Sequence, residues 1–403
     1  MTDSSNEPTS FDIIIVGLQP WDIGIGSNCK DIAVEWSKTR RILYVNRALD
    51  FTSLIKNRKS KQVQNRLKAF RNKSNRLEKV SENIWVLSPK VILPSINFLP
   101  AGRWYNFFNR LNNKLLAREI NAAAQKLGFA KKVLFNDNDF IRGCYFPKMV
   151  ANDLSIYYIR DYLTIQNYFK KRATLEHKLM AESDLIFSNS EYLATYARKH
   201  NSRSHFIGQG FDQQVFSKTI EEEPADMKGI SRPVIGYLGS LLASRLDLSI
   251  LREVATQLPD YSLVLVGPED NTFKESDLHS FSNVHFLGRK GPDEIVDYIT
   301  HFDVCINPQI VNDLTIGNYP RKVDEYLILG KPVVAVETEA MNFFKEVVFL
   351  AKSPQQFVDF VKKALNEDSE AAAEKRKSVA SSHSWSNCVA KMEALIKEQL
   401  IGK

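Results

Sequence analysis

Tyr319-Pro320-Arg321-Lys322-Val323-Asp324-Glu325-Tyr326-Leu327-Ile328-Leu329-Gly330-Lys331-Pro332-Val333-Val334-Ala335-Val336 reads as a short helix opened by proline, closed by glycine and followed at once by a buried strand. Proline is pre-set for the first helical turn and glycine for the turn that ends it. A helix N-terminus gathers unpaired N–H groups and the positive end of the macrodipole, so Arg321 and Lys322 in the first turn make a seat for a phosphate or diphosphate. Glu325, one turn further in, is placed to accept hydrogen bonds from sugar hydroxyls beside that phosphate. An ordinary amphipathic helix and loop would share this local pattern, so the segments around it must decide.

Working back from Tyr319, the same alternation recurs. Pro233 to Gly239 is a strand ending in glycine, Leu246 to Thr256 a helix, and Tyr261 to Gly267 another strand ending in glycine. Asn283 to Leu287, Pro292 to Thr300 and Val304 to Asn307 continue it. The first half has its own series. Phe11 to Gly17 is a strand, Lys30 to Lys38 a helix and Arg41 to Val45 a strand, a βαβ opening that implies a parallel sheet. Further strands are expected at Ile84 to Leu87, Lys132 to Phe135, Ser155 to Ile159, Leu185 to Ser188 and His205 to Ile207. The reading is α/β: two doubly wound, Rossmann-like domains facing a central cleft at their strand ends. Residues 1–215 form the first and 216–382 the second, after the acidic Glu221-Glu222-Glu223-Pro224. The tail, 383–403, is an amphipathic helix expected to pack back on the first domain.

Size and composition agree. At 403 residues and 44% apolar, the chain suits two domains better than one core. No apolar run reaches the length of a membrane span, and Met1 to Ser10 is polar and acidic and does not read as a signal peptide, so the expected location is cytoplasmic. Cys29, Cys144, Cys305 and Cys388 are scattered and form no C-x-x-C pair, and the 7 histidines show no metal-ligand spacing. Neither a zinc site nor a disulfide framework is implied.

The motifs at Gly239, Gly288 and Glu325 make the chain resemble a GT-B glycosyltransferase, close to glycosyltransferase family 4 and most similar to its bacterial surface-polysaccharide members of the teichuronic-acid type. The resemblance implies a nucleotide-sugar donor, UDP- or GDP-linked, held on the second domain. The family opens that domain with a strand, a glycine turn and a basic residue on the donor diphosphate, matched here by Gly239, Ser240 and Arg245. Ser240 stands where many members carry arginine, and Arg321 or Lys322 is expected to take its part. Glu325 matches the second glutamate of the family's E-x7-E motif, on the donor ribose. The first glutamate falls on Gly317 and is missing. Asn318, Tyr319 and Pro320 border the sugar and phosphate, though proline offers no N–H. Leu287, Gly288 and Arg289 resemble the base-binding strand end, with Gly267 and Pro268 ending the strand before it. On the acceptor side, Gly17, Trp21 and Asp22 resemble the loop after the first strand, while Asp137 and Asp161 sit at strand ends where a carboxylate can orient or deprotonate a hydroxyl. The expected catalytic set is Lys322, Arg245, Glu325, Asp137 and Asp161. The resemblance further implies retention of anomeric configuration, no tightly bound cofactor and no required metal, with a growing surface polysaccharide or lipid-linked saccharide as acceptor.

The net charge of +7 is unevenly placed. Lys56, Arg58, Lys59, Lys61, Arg66, Lys68, Arg71, Lys73, Arg76 and Lys79 lie between Phe51 and Val80 against the single acid Glu78. Trp104, Tyr105, Phe107 and Phe108 follow, so residues 51–110 form a basic and aromatic insertion. Cations beside apolar rings suit an anionic membrane surface, which implies peripheral attachment at the inner face of the cell membrane. No nucleic-acid-binding module accompanies the charge. Three other readings stay open: a dehydrogenase, weakly signalled by Gly24 and Gly26 with Cys29 in the third glycine's place; a sugar-nucleotide epimerase of the same architecture; and a non-catalytic relative.

Overall fold

The structure, a computed structural model, describes residues 10–22, 27–71, 76–211, 213–217, 222–291, 293–312, 315–317 and 319–402. The chain divides into two compact units, Met1–Gly208 with Cys388–Lys403, and Gln209–Asn387.

The first unit contains β1 (Asp12–Gly17), β2 (Ile42–Val45), β3 (Leu49–Asp50), β4 (Leu77–Ser81), β5 (Ile84–Leu87), β6 (Ile92–Leu93), β7 (Lys132–Asp137), β8 (Leu154–Ile159), β9 (Leu185–Ser188) and β10 (Ser204–Phe206). Eight of them form one sheet in the order β10-β9-β8-β7-β1-β2-β5-β4, and β3 and β6 pair separately. Every pairing in the large sheet is parallel except β4 with β5. β1 and β8 are buried along nearly their whole length, which is why they read as unbroken apolar runs instead of alternating ones. Within the basic stretch lie the helices Phe51–Lys56 and Lys61–Arg71, with β4 further on. The helix Trp385–Ile401 carries residues of both units, and its Cys388-onward part belongs to the first. There Met392 and Ile396 are buried, Glu393 pairs with Arg40 at 2.9 Å, and Lys391 Nζ donates to the Phe206 carbonyl.

The second unit contains β11 (Val234–Leu238), β12 (Ser262–Val266), β13 (Val284–Gly288), β14 (Val304–Asn307), β15 (Val333–Val336) and β16 (Phe349–Ala351) in the order β13-β12-β11-β14-β15-β16, all parallel. Chain order reverses where β11 meets β14, and in an open parallel sheet ligands bind beyond the strand C-termini at such a point. The helix Pro354–Asn366 covers one face with Phe357, Val358, Val361 and Ala364. On the other face Phe302 presses against β11 so closely that a Cβ on Gly236 would lie 2.0 Å from its ring.

Candidate functional site

At the switch point of the second unit, three pieces meet: the loop after β11, the loop after β12 and the helix Arg321–Ile328. The loops touch through glycine. Gly239 N donates to the Val266 carbonyl at 2.9 Å, and a Cβ on Gly267 would stand 1.8 Å from the Gly239 oxygen. Both residues have positive φ, 146° and 152°, which a side chain would strain. The helix is tied to β11 by Tyr326, whose hydroxyl accepts from Leu238 N at 3.0 Å. Its first turn then brings Lys322 over the Tyr237 ring, 3.9 Å from the centroid, with Nζ donating to the Tyr237 hydroxyl. Tyr237 passes the contact on to the Ser240 carbonyl at 3.4 Å. Lys322 is thus a cation held in place beside backbone that only glycine allows to come so near.

Glu325, one turn on, keeps 17% of its side chain exposed and lies with Oε1 3.3 Å from Arg321 Nε. Burial pushes its carboxyl above the usual range, while Arg321 and Lys322 oppose the shift. Arg245 is exposed on the loop after β11, and its carbonyl accepts from Ile310 N at 2.9 Å. Leu246 bridges Gln309 in the same way, so the loops after β11 and β14 are stitched together. Ser240, Pro268 and Arg289 are exposed, Leu287 is half-buried, and Gly288 turns the chain at φ 67° before Arg289. Tyr319 reaches back to the helix, its hydroxyl donating to Asp324 at 2.8 Å. Asn318 lies outside the described residues, as do Gly24 and Gly26.

Four residues at this site, Tyr237, Asp324, His383 and Asn307, went unnoticed in the sequence. Tyr237 holds Lys322. Asp324 is fully buried, with Tyr319 on one oxygen and His383 Nδ1 on the other at 2.7 Å. Burial pushes its carboxyl up, against the pull of His383 and Tyr319. Asn307 ends β14 with a buried amide nitrogen that has no protein partner among the described residues. An acid doubled beside Glu325 and an asparagine closing an apolar strand were the available signals.

The first unit arranges its expected residues differently. Gly17 ends β1 where a Cβ would lie 2.8 Å from Asp137 Cβ. Asp137 itself is wholly buried, and Arg160 holds both its oxygens, at 2.8 and 3.4 Å. Burial raises its carboxyl and Arg160 resists. A group expected to touch an acceptor is therefore set beneath the surface, where it anchors an arginine. Asp161, 42% exposed, takes the other arm of Arg160 at 2.8 Å. Asp22 faces burial too, but Arg66 and Asn65 donate to it and keep its carboxyl below the usual range. Trp21 stands edge-on to Tyr44, ring centres 5.2 Å apart. Arg66, with 7% exposure, and Arg76, paired to Glu119, are thus withdrawn from the basic face.

Set against known proteins, the architecture of two parallel α/β units is GT-B. The chain superposes on HepE of Anabaena in complex with UDP (TM-score 0.64, 16% identity, 97% of this chain and 100% of that one). It superposes equally on sucrose-phosphate synthase of Thermosynechococcus elongatus (TM-score 0.65, 13% identity, 97% and 100%) and on a UDP-forming trehalose-phosphate synthase of Burkholderia vietnamiensis (TM-score 0.67, 11% identity, 98% and 100%). Residues 232–367, the stretch carrying the glycine loops and the Lys322 helix, match the family described as glycosyl transferases group 1. In sequence it is 26% identical over 228 residues to the putative teichuronic acid biosynthesis glycosyltransferase TuaH of Bacillus subtilis (strain 168). That match spans 53% of this chain and 56% of the relative, about half of each.

Proposed function

We propose that the protein is a glycosyltransferase that moves a sugar from a nucleoside-diphosphate donor, UDP- or GDP-linked, to a surface polysaccharide or lipid-linked saccharide, with retention. The observation that carries this reading is the clamped Lys322 beside Gly239 and Gly267. The donor diphosphate lies against the loop after β11, with the Arg321–Ile328 helix N-terminus and Lys322 on it. Glu325 has Oε2 left for ribose hydroxyls, and Leu287 to Arg289 border the base. As the glycosidic bond breaks, negative charge gathers on the leaving diphosphate. Lys322 is already oriented by Tyr237 and needs no reorganisation, and one such donor contributes about 3–4 kcal/mol to the transition state. Asp161 is the exposed carboxylate of the acceptor side, steered by Arg160, and Asp137 acts behind it as a positioning residue.

The test is turnover. Incubation with UDP- and GDP-sugars and a saccharide acceptor should release nucleoside diphosphate only when acceptor is present. Isomerised donor without acceptor would instead establish the epimerase reading, which the family match does not favour.

Among the described residues no helix is long and apolar enough to cross a membrane. Phe51, Ile55, Phe98, Trp104 and Phe107 are nonetheless 54–80% exposed, close in sequence to the exposed cations Lys56, Arg58, Lys59, Arg103 and Arg110. This supports peripheral seating on anionic lipid, each basic residue contributing about 1 kcal/mol. Flotation with anionic vesicles should be lost in high salt, and equal flotation with neutral vesicles would contradict it.

A further inference from the structure

The first unit holds a cavity of about 180 Å³ that none of the motifs anticipated. Leu18, Leu93, Leu116 and Phe169 give it apolar walls, and Arg47 and Arg142 enter it from the loops after β2 and β7. A water needs only about 10–15 Å³ on such a measure, so a sugar ring is a reasonable occupant.

Its polar groups are unevenly satisfied. Each guanidinium carries five N–H donors, and neither makes a side-chain hydrogen bond to any described residue. The carboxylates beside Arg142 are too far for one, Asp139 at 3.7 Å and Asp50 at 4.0 Å. Their Oδ1 atoms are engaged by backbone, Asp50 Oδ1 capping the Phe51–Lys56 helix by accepting from Ser53 N at 2.8 Å and Asp139 Oδ1 accepting from Arg142 N at 2.9 Å, while the Oδ2 atoms face the Arg142 guanidinium. Burial and the charge of Arg142 push Arg47 below its ordinary range, although Asp139 and Asp50 pull the other way.

The loop that presents Arg142 is braced from behind. Asn109 and Asn113, on the Arg103–Lys126 helix, donate to the Ile141 carbonyl at 2.9 and 3.2 Å. Asn112, next on that helix and 7% exposed, donates to the Pro94 carbonyl at 3.0 Å, yet its buried Oδ1 has no protein partner among the described residues. A braced pair of like charges with unspent donors is complementary to anionic oxygens, which guanidinium groups bind two at a time. The unpartnered amide oxygen beside it is complementary to a hydroxyl.

We propose that this cavity binds a saccharide through an anionic substituent, a carboxylate or a phosphate, clamped by Arg47 and Arg142, with a sugar hydroxyl donating to Asn112 Oδ1. It rests on the transferase reading in one respect: it makes the cavity the acceptor subsite and the acceptor an acidic saccharide.

The experiment is calorimetric titration of the full chain with glucuronate, glucose 1-phosphate, glucose and inorganic phosphate. At least one acidic sugar should bind ten times or more tighter than glucose. A larger gain for glucuronate identifies a carboxylate ligand, and a larger gain for glucose 1-phosphate a phosphate. Replacing both arginines, Arg47→Gln with Arg142→Gln, should erase that preference while the near-UV circular dichroism spectrum, which reports intact packing of the first unit, and the thermal shift produced by UDP or GDP stay as in the parent. Glucose binding as well as the acidic sugars, inorganic phosphate binding as well as glucose 1-phosphate, or a preference that survives the double substitution overturns the proposal. Absence of a shift with both UDP and GDP in the parent protein would instead count against the donor site and leave the cavity result to stand by itself.

Discussion

Gly267→Ala isolates how far the donor seat depends on the close approach of two loops. The added Cβ would sit 1.8 Å from the Gly239 oxygen, and unstrained contact needs about 3.5 Å, so the loops must part by roughly 1.7 Å. Gly239 is the residue whose own Cβ position faces Lys322 Nζ at 2.8 Å, so this displacement moves backbone away from the cation it is packed beside. A misplacement of about 1 Å at a reacting centre costs on the order of 100-fold in rate, and a loss of that size in turnover is expected. Backbone strain must be separated from collision, because φ at Gly267 is 152°. Gly229→Ala serves as the control: φ there is 91° with nothing within 4 Å, so it carries strain of about 1–3 kcal/mol and no collision. Melting temperature, nucleotide affinity and turnover would be measured for both. Both variants should melt lower, and only Gly267→Ala should lose affinity and turnover. A folded Gly267→Ala protein with parental turnover would show that the donor seat does not depend on the close approach of the two loops.

Two further perturbations follow from buried acids. Asp324→Asn keeps the shape of a side chain that joins Tyr319 to His383 but removes its charge, and should cost roughly 2–3 kcal/mol, read as a drop in melting temperature of the second unit with a rise in the donor dissociation constant. An unchanged melting temperature would show that this network does not hold the helix. Glu176 is buried between the hydroxyls of Tyr157 and Tyr196, and burial pushes its carboxyl from 4.5 to about 7 although both hydroxyls oppose the shift. Because the folded state favours the proton, the group's contribution is fully present below pH 4.5 and declines until about pH 7, a loss of about 3 kcal/mol. Glu176→Gln should flatten that part of the urea-unfolding stability curve, and an identical slope in the variant would contradict the assignment.

Much of this was legible in the amino-acid order, and what was not has physical causes. Parallel strands buried on both faces announce themselves as unbroken runs, so Ile13 to Val16 and Leu263 to Val266 were readable without knowing their neighbours. Glycines ending β11 and β12 were visible as turns. That they pack against each other depends on sheet order, which no local pattern encodes. Tyr237 looked like one more apolar strand residue; only the parallel placement of β11 beside the later helix brings its hydroxyl to Lys322. Asp137 was misplaced for a related reason: strand ends look exposed in sequence, yet β7 is central in its sheet and its last residue meets Arg160 from β8's end. Arg66 counted as surface charge until Asp22, 44 positions away, came to face it. The Arg47 and Arg142 cavity joins three separate loops and left no local trace.

On this reading Lys322 and the glycine loops hold a nucleoside diphosphate on the second unit. Calorimetric titration with UDP, UMP and uridine tests it most directly, repeated with GDP and its congeners. One site per chain is expected, with the diphosphate favoured over the nucleoside by orders of magnitude and most of that preference lost in Lys322→Ala. Equal affinity for diphosphate and nucleoside, or a Lys322→Ala protein that binds the diphosphate as the parent does, would contradict it.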